Sequence, residues 1–403
     1  MIDTASLLDR APEPVRLLAN RVAEGTGVLG RVADRIRFRF SDEEVPLLPG
    51  PRQADVRVLI GPANSAGQAY EWARAFERNL PGVVATAMRG IGSSPFEQSV
   101  DLRVPVAVHQ RSTTWHERLQ SYLEDQTHVI WESGLPLLGR RYDGGVAQEL
   151  ALLESTGVRG ALLFHGSDIR PPSRHALDSR WSPFHNPTGR TRDLDRDSTR
   201  NAALANEAEV PVFVSTPDLL QWVPQATWCP VVVDLERWRA AAAPPRRSGP
   251  LVVAHAPSQK WLKGTDLIEP TLRRLDAEGV IEYRQIVGVP HASMPGFYAG
   301  ADIVLDQFVL GIYGVAACES MASGRLVFSH VDEFTRAEVQ ARTGMTLPVH
   351  EVTVETLEHE LRRAAREPDF GAELRAAGPD FVAAVHDGRM SASAVAPFLG
   401  ISA

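Results

Sequence analysis

Lysine is nearly absent from this 403-residue chain: Lys260 and Lys263 stand alone among 42 basic residues, and every other one is Arg. Where Arg is the default cation, a retained Lys marks a position that wants a compact, flexible point charge, which the planar guanidinium does not imitate. With two residues, chance is the competing reading. Cysteine is as scarce. Cys229 and Cys318 are too few for a disulfide framework and lack metal-ligand spacing, so they read as reduced, semi-buried thiols of a cytoplasmic protein. No apolar run approaches the ~20 residues that span a bilayer. The opening Met-Ile-Asp-Thr has neither a basic region nor an apolar core, which argues against a signal peptide. Net positive charge is missing too. At −8 overall, the chain lacks the basic face of a nucleic-acid binder.

What remains is the composition of a folded globular protein, 44% hydrophobic and 23% charged. The length exceeds one small core, so two domains are expected. Residues 1–50 read as a helical extension: Leu7, Leu8, Val15, Leu18 and Val22, then Val28, Leu29, Val32 and Ile36, fall near helical spacing around the break at Gly25-Thr-Gly27. Seven Arg against five acids in the first 40 residues suit this extension to a membrane surface or a partner; packing on the next domain is the plainer reading.

From residue 51 to 240 short apolar strands alternate with helices. Strands are expected at Val56–Gly61, Val83–Ala87, Val104–Val108, His128–Trp131, Gly160–Phe164, Val210–Val214 and Pro230–Val233, and helices at Gly67–Asn79 and Gly145–Ser155. Such alternation predicts a mostly parallel sheet covered on both faces. The polar stretch Pro171–Arg200 reads as an inserted surface loop or lid. Arg237–Pro250 reads as a linker. The rhythm restarts over 250–385, with strands at Leu251–Ala254, Glu282–Val287, Ile303–Leu305 and Leu326–Ser329 and helices at Asp266–Ala277, Val315–Ala322 and Val354–Arg366. Residues 386–403 are expected to pack back on the first domain. Two Rossmann-like, doubly wound α/β domains in tandem place a ligand at the carboxyl ends of their strands, in the cleft between them.

Three loops sit at such strand ends. Gly61-Pro-Ala-Asn64-Ser65-Ala-Gly67 allows close backbone approach ahead of a helix; it is neither GxGxxG nor a P-loop, which disfavours a nicotinamide cofactor. Phe164-His165-Gly-Ser-Asp168 puts an imidazole where it contacts a substrate hydroxyl or moves a proton. A structural His, with Asp168 capping a turn, fits equally well. In Ala301–Gly324 a strand ends near Asp306 and a helix starts near Val315. Its free amides suit a diphosphate, and Glu319, one turn in, suits two ribose hydroxyls. Lys263, from the neighbouring loop His255–Gly264, neutralises phosphate.

Two further patterns are weaker. Asp193-Leu-Asp195 and Asp195-Arg-Asp197 read as a solvated charge run rather than a metal site. Ser215-Thr-Pro-Asp218 reads as an N-cap for a helix from Leu219.

On these residues the second half resembles the nucleotide-binding domain of GT-B retaining glycosyltransferases of glycosyltransferase family 4. Lys263-Gly264-Thr-Asp-Leu-Ile matches the family's Lys-Gly element, whose Lys contacts the donor diphosphate. Ala301–Gly324 matches the segment from an Ala-Asp strand through a Gly-Phe-Gly turn to a Glu-Ala-Met-Ala helix. There Glu319 corresponds to the second Glu of the Glu-seven-residues-Glu motif, and Tyr313-Gly314 to Phe-Gly. The first domain is looser, with His165 at the family's cleft His and Asn64–Gly67 at its acceptor-side loop. The resemblance implies a metal-independent glycosyltransferase with no cofactor beyond its co-substrate, a nucleotide-diphospho-sugar. Donor contacts would come from Ser258, Lys260, Lys263, Tyr313, Gly314, Val315 and Glu319. Asn64, Ser65, Gly67 and Asp168 would lie on the acceptor side, and His165 and Lys263 would serve catalysis. Two departures stand out: the motif's first Glu falls on Gly311, with Asp306 and Gln307 as substitutes, and the family's phosphate-binding Arg falls on Ser258, with Lys260 as substitute. A non-catalytic GT-B binding protein and a nucleotide-sugar epimerase are the alternatives these departures leave open.

Overall fold

The structure is a computed structural model describing residues 40–50, 52–91, 98–143, 145–240 and 249–401. The expected helices of the N-terminal extension, and any membrane or partner contact through residues 1–40, lie outside the described residues except Phe40. Residues 40–50 are irregular, and Val45 is buried against the first domain.

The first domain is a parallel seven-stranded sheet of order β3-β2-β1-β4-β5-β6-β7. Its strands are β1 (Val56–Gly61), β2 (Val83–Ile91), β3 (Leu102–Pro105), β4 (His128–Glu132), β5 (Arg159–Phe164), β6 (Val212–Val214) and β7 (Thr227–Trp228). The apolar runs expected from sequence become central strands because both faces are covered: Leu59 and Ile60 of β1 and Val129, Ile130 and Trp131 of β4 are fully buried. Helix α1 (Gln68–Asn79) buries Ala69, Trp72, Ala73 and Phe76, one helical stripe. Helices α2 (Thr113–Glu124) and α3 (Val146–Ser155) cover the sheet through Trp115, Leu119, Leu150 and Leu153.

Four expectations need correction here. The stretch around Val106 turns into a helix (Val106–Arg111) after β3. Pro230–Val233 is not a strand, because its polar groups are taken elsewhere. Pro230 O accepts from Trp72 Nε1 (2.8 Å), Val232 N donates to Gln68 Oε1 (2.6 Å), and Val233 N donates to His386 O (2.8 Å). The insertion is not a loop but two helices, Pro172–Asp178 and α4 (Gly189–Glu207), the second capped by Thr188. Asp193 and Asp197 form surface pairs with Arg196 and Arg200, and Asp195 accepts from Ser173 N (2.9 Å). Between the helices, Phe184 is buried in the second domain's core beside Ile268, Leu305 and Phe308, so the insertion straps the domains together. Finally, Asp218 caps nothing; it forms a buried ion pair with Arg170.

The linker also begins later than expected, because Leu235–Ala240 is helical and buries Trp238. The second domain is a parallel five-stranded sheet of order β12-β11-β10-β8-β9, made of β8 (Leu251–His255), β9 (Ile281–Gln285), β10 (Ile303–Leu305), β11 (Leu326–Ser329) and β12 (His350–Glu351). The helices that matter below are α5 (Thr265–Ala277), α6 (Val315–Ala322), α7 (Ala372–Val385) and α8 (Arg389–Val395). After α7 the chain crosses back. Ala392 and Val395 of α8, with Phe398 and Leu399, join Val58, Ile60 and Trp72 in the first domain's core. His386 makes the turn, with Nδ1 donating to Val231 O (2.8 Å) and Nε2 facing Tyr313 Oη (3.3 Å). No helix among the described residues is long and apolar enough to cross a membrane.

Burial pushes the His386 pKa down to about 4, so the imidazole is neutral in this clasp. The unfolded chain takes up this proton near pH 6.5, the folded chain only near pH 4. The stabilisation is therefore complete above pH 6.5 and lost as pH falls, at up to about 1.4 kcal/mol per pH unit for this group. Urea unfolding at pH 7.0 to 4.5 is expected to show a shallower acid decline for His386→Gln than for the wild type. Parallel declines would remove His386 from the acid response.

Candidate active site

A cavity of about 490 Å³ lies between the domains at the carboxyl ends of their strands, where open α/β sheets bind ligands. The second domain's wall follows from local sequence. Strand β8 ends on His255, whose burial lowers its pKa to about 4. The neutral ring donates through Nδ1 to Leu305 O (3.0 Å) and accepts at Nε2 from the Thr265 hydroxyl (2.9 Å). That pins β8, β10 and the start of α5, and with them the loop carrying Lys263. Gly264 closes the loop with φ 73°, where a Cβ would sit 2.7 Å from Val309 Cγ1; no other residue fits such a turn without displacement.

Lys263 lines the cavity and forms an ion pair with Asp306, whose carboxylate is completely buried. The other Asp306 oxygen accepts from Gly314 N (2.9 Å) at the N-cap of α6. One carboxylate thus joins the ammonium group to the helix tip. Val315 and Ala316 line the cavity on the first turn of α6, where amides lack intrahelical partners. Glu319 follows one turn later, 6% exposed, accepting from His291 Nε2 (2.6 Å). His291 lines the cavity, and its carbonyl accepts from Arg237 (2.6 Å).

The first domain contributes Ser65, Ala66, Arg89 and Gln98 to the lining. Asn64 is fully buried and spent on its own loop, donating to Ser99 O (3.0 Å) and accepting from Tyr70 N (3.2 Å). Gly67 borders a small adjoining pocket that also reaches Glu319. Behind the loop, Glu132 at the end of β4 accepts from the amides of Ala63 (3.0 Å) and Asn64 (2.8 Å) with one oxygen and pairs with His165 Nε2 (2.8 Å) through the other. His165 stacks on Trp72 at 5.5 Å. Asp168 accepts from the His165 and Gly166 amides. Burial opposes the imidazolium of His165, but the Glu132 contact, with Asp168 nearby, raises its pKa overall.

The structure therefore gathers Lys263, Val315, Ala316, Glu319, Ser258 and Ser65 around one cavity and leaves other candidates off its lining, Gly314 among them, whose amide is taken by Asp306. Lys260 is exposed and off the lining, and Tyr313 points its ring into the core against Phe381 and His386. His165 and Asp168 stand behind the Asn64 loop. Gln307 does not substitute for the missing Glu: its amide serves the Ile312 and His330 carbonyls and the Val309 and Leu310 amides. Gly311 has φ 70°, and a Cβ there would lie 2.9 Å from Asp332 Oδ2, so the backbone itself leaves no place for a side chain. Glu132, His291 and Arg89 were not singled out from the sequence. A Glu ending an apolar central strand was the available signal for the first; nothing local marked the other two.

No family model matches the sequence, and no curated protein matches it. Solved structures match the fold. The sucrose-phosphate synthase of Thermosynechococcus elongatus aligns at 12% identity over 85% of this chain and 97% of that one, with a TM-score of 0.55. The catalytic domain of starch synthase IV from Arabidopsis thaliana, solved with ADP and acarbose, aligns at 10% identity over 87% and 99%, TM-score 0.53. HepE of Anabaena, solved with UDP and glucose, aligns at 11% identity over 85% and 99%, TM-score 0.52. At these identities the likeness concerns architecture: two parallel-sheet α/β domains about a cleft, the GT-B fold.

Two substitutions test the geometry. In Glu132→Gln the carboxylate that favours the imidazolium is gone while burial remains. The His165 midpoint, followed by NMR, is expected to fall from above its ordinary value to below it; an unchanged midpoint would contradict the pairing. Gly311→Ala is expected to lower unfolding free energy by about 1–3 kcal/mol through backbone strain and the Asp332 contact. Unchanged stability in chemical denaturation would show that the turn adapts.

Proposed function

We propose that the protein is a glycosyltransferase that takes a sugar from a nucleotide-diphospho-sugar and passes it to a hydroxyl-bearing acceptor. The observation that carries this reading is the spacing along one wall of the cavity: an ammonium group, a helix tip and, one turn further, a carboxylate. These match in order the diphosphate and the ribose of such a donor. The complexes of HepE with UDP and of starch synthase IV with ADP support the ligand class. The motif resemblance to glycosyltransferase family 4 supports retention of anomeric configuration, and the two unpaired cysteines support work in the cytoplasm.

Lys263 and the α6 tip carry the main step. As the glycosidic bond to the diphosphate breaks, negative charge grows on the leaving oxygen, and preorganised positive groups stabilise it without reorganising. Lys263 is held ready by Asp306, so the ammonium shifts toward the diphosphate from a fixed position. That arrangement supplies leaving-group charge without a metal ion. Glu319 retains one oxygen for the ribose while His291 steadies the other. Ser258 and the amides of Val315 and Ala316 complete the donor side, with Lys260 adding longer-range charge. His165, paired with Glu132 behind the Asn64 loop, serves the sugar and acceptor side by holding that loop in place from the first domain. Ser65, Gly67 and Asp168 shape that side, with Asn64 fixing the loop.

Lys263→Ala is expected to cost about 2–4 kcal/mol of transition-state stabilisation, the scale of one preorganised donor, or roughly 30- to 900-fold in kcat/KM. The check is donor hydrolysis across UDP-, GDP- and ADP-sugars. Wild-type-like turnover in the variant would remove Lys263 from the mechanism. Nucleotide binding with no sugar release by the wild type across the panel would turn the reading to a silent binding protein.

A further inference from the structure

Charge bookkeeping in the cavity leaves one cation unassigned. The charged side chains lining it are Arg89, Lys263 and Glu319. Lys263 is already neutralised by Asp306, and Glu319 adds negative charge near where a diphosphate would approach. Ser258, where a second cation would be expected, carries none, and Lys260 lies off the lining. A diphosphate brings an ionised oxygen on each phosphate, so Lys263 alone leaves the cavity short of positive charge.

Arg89 supplies it from the opposite wall. It lies near the carboxyl end of β2, half-buried. Among the described residues no hydrogen bond or ion pair engages its guanidinium. Every other Arg that lines either cleft pocket is committed: Arg237 donates to His291 O and lies over Trp238. An unpaired guanidinium in a concave, partly desolvated site is costly without an anion. Its planar fork matches two phosphate oxygens at once. Resting on the donor-binding reading, we infer that Arg89 is the second cation for the donor's diphosphate, reaching across the cleft to a ligand seated on the other domain. It binds the diphosphate and thereby couples donor occupancy to approach of the two domains.

The test is calorimetric titration of the full chain with UDP, GDP, ADP and inorganic pyrophosphate. It uses wild type, Arg89→Ala, Arg89→Lys and Arg118→Ala, the last an equal charge change at an exposed pair with Asp42. Thermal unfolding of each variant checks that folding is intact. Affinity for the preferred nucleoside diphosphate is expected to fall at least tenfold in Arg89→Ala, less in Arg89→Lys and under twofold in Arg118→Ala, with pyrophosphate following the same order. Equal affinity in wild type and Arg89→Ala overturns the assignment while leaving the donor reading intact. A wild type that binds none of the four ligands overturns the donor reading and the assignment with it.

Discussion

A single buried carboxylate organises the candidate site. Asp306 holds the Lys263 ammonium with one oxygen and the N-cap amide of α6 with the other, so the two positive features of the cavity wall cannot drift apart. The cost of burying that carboxylate is offset because both oxygens are engaged, one by a full charge and one at a helix N-terminus. Its neighbours carry the arrangement outward. His255 ties the strand behind it to the strand and helix on either side, and Gly264 allows the tight turn that aims Lys263.

The same carboxylate shapes what the cavity accepts. With Asp306 in place the ammonium is balanced rather than bare, so the resting site is less positive than an Arg and Lys pair would make it. On the proposed reading, a diphosphate entering there would share Lys263 with Asp306 and draw further positive charge from the helix tip and from the facing domain. On that reading both domains would be parts of one binding site, in keeping with how they are joined. Phe184 reaches from one into the core of the other, and the chain returns through His386 to seat α8 against α1.

Most of the architecture was legible because apolar strands and amphipathic helices alternate at regular intervals. Two mostly parallel sheets follow from that pattern, but the order of strands within them and the short edge strands β7 and β12 do not. It failed where long-range partners decided local structure. Pro230–Val233 is apolar and strand-like, yet Trp72, Gln68 and His386 claim its backbone. The charged run Arg190–Asp197 looked like a loop, but its Arg and Asp pairs at helical spacing and the Thr188 cap make a surface helix. In the site, Lys263 and Glu319 were readable because each sits in a motif with fixed spacing to a strand end. Glu132, His291 and Arg89 matter through partners or cavities formed by distant segments, which no local window contains. Gly311 was visible as a departure, but its left-handed backbone and the Asp332 carboxylate behind it, which leave no room for a side chain, appear only in three dimensions.

The most direct measurement is a crystal structure of the full chain with a nucleoside diphosphate bound. Phosphate oxygens are expected within hydrogen-bond reach of Lys263 Nζ and the amides opening α6, with the ribose hydroxyls on the Glu319 carboxylate. A nucleotide seated elsewhere, with Lys263 still wholly occupied by Asp306, would contradict that placement.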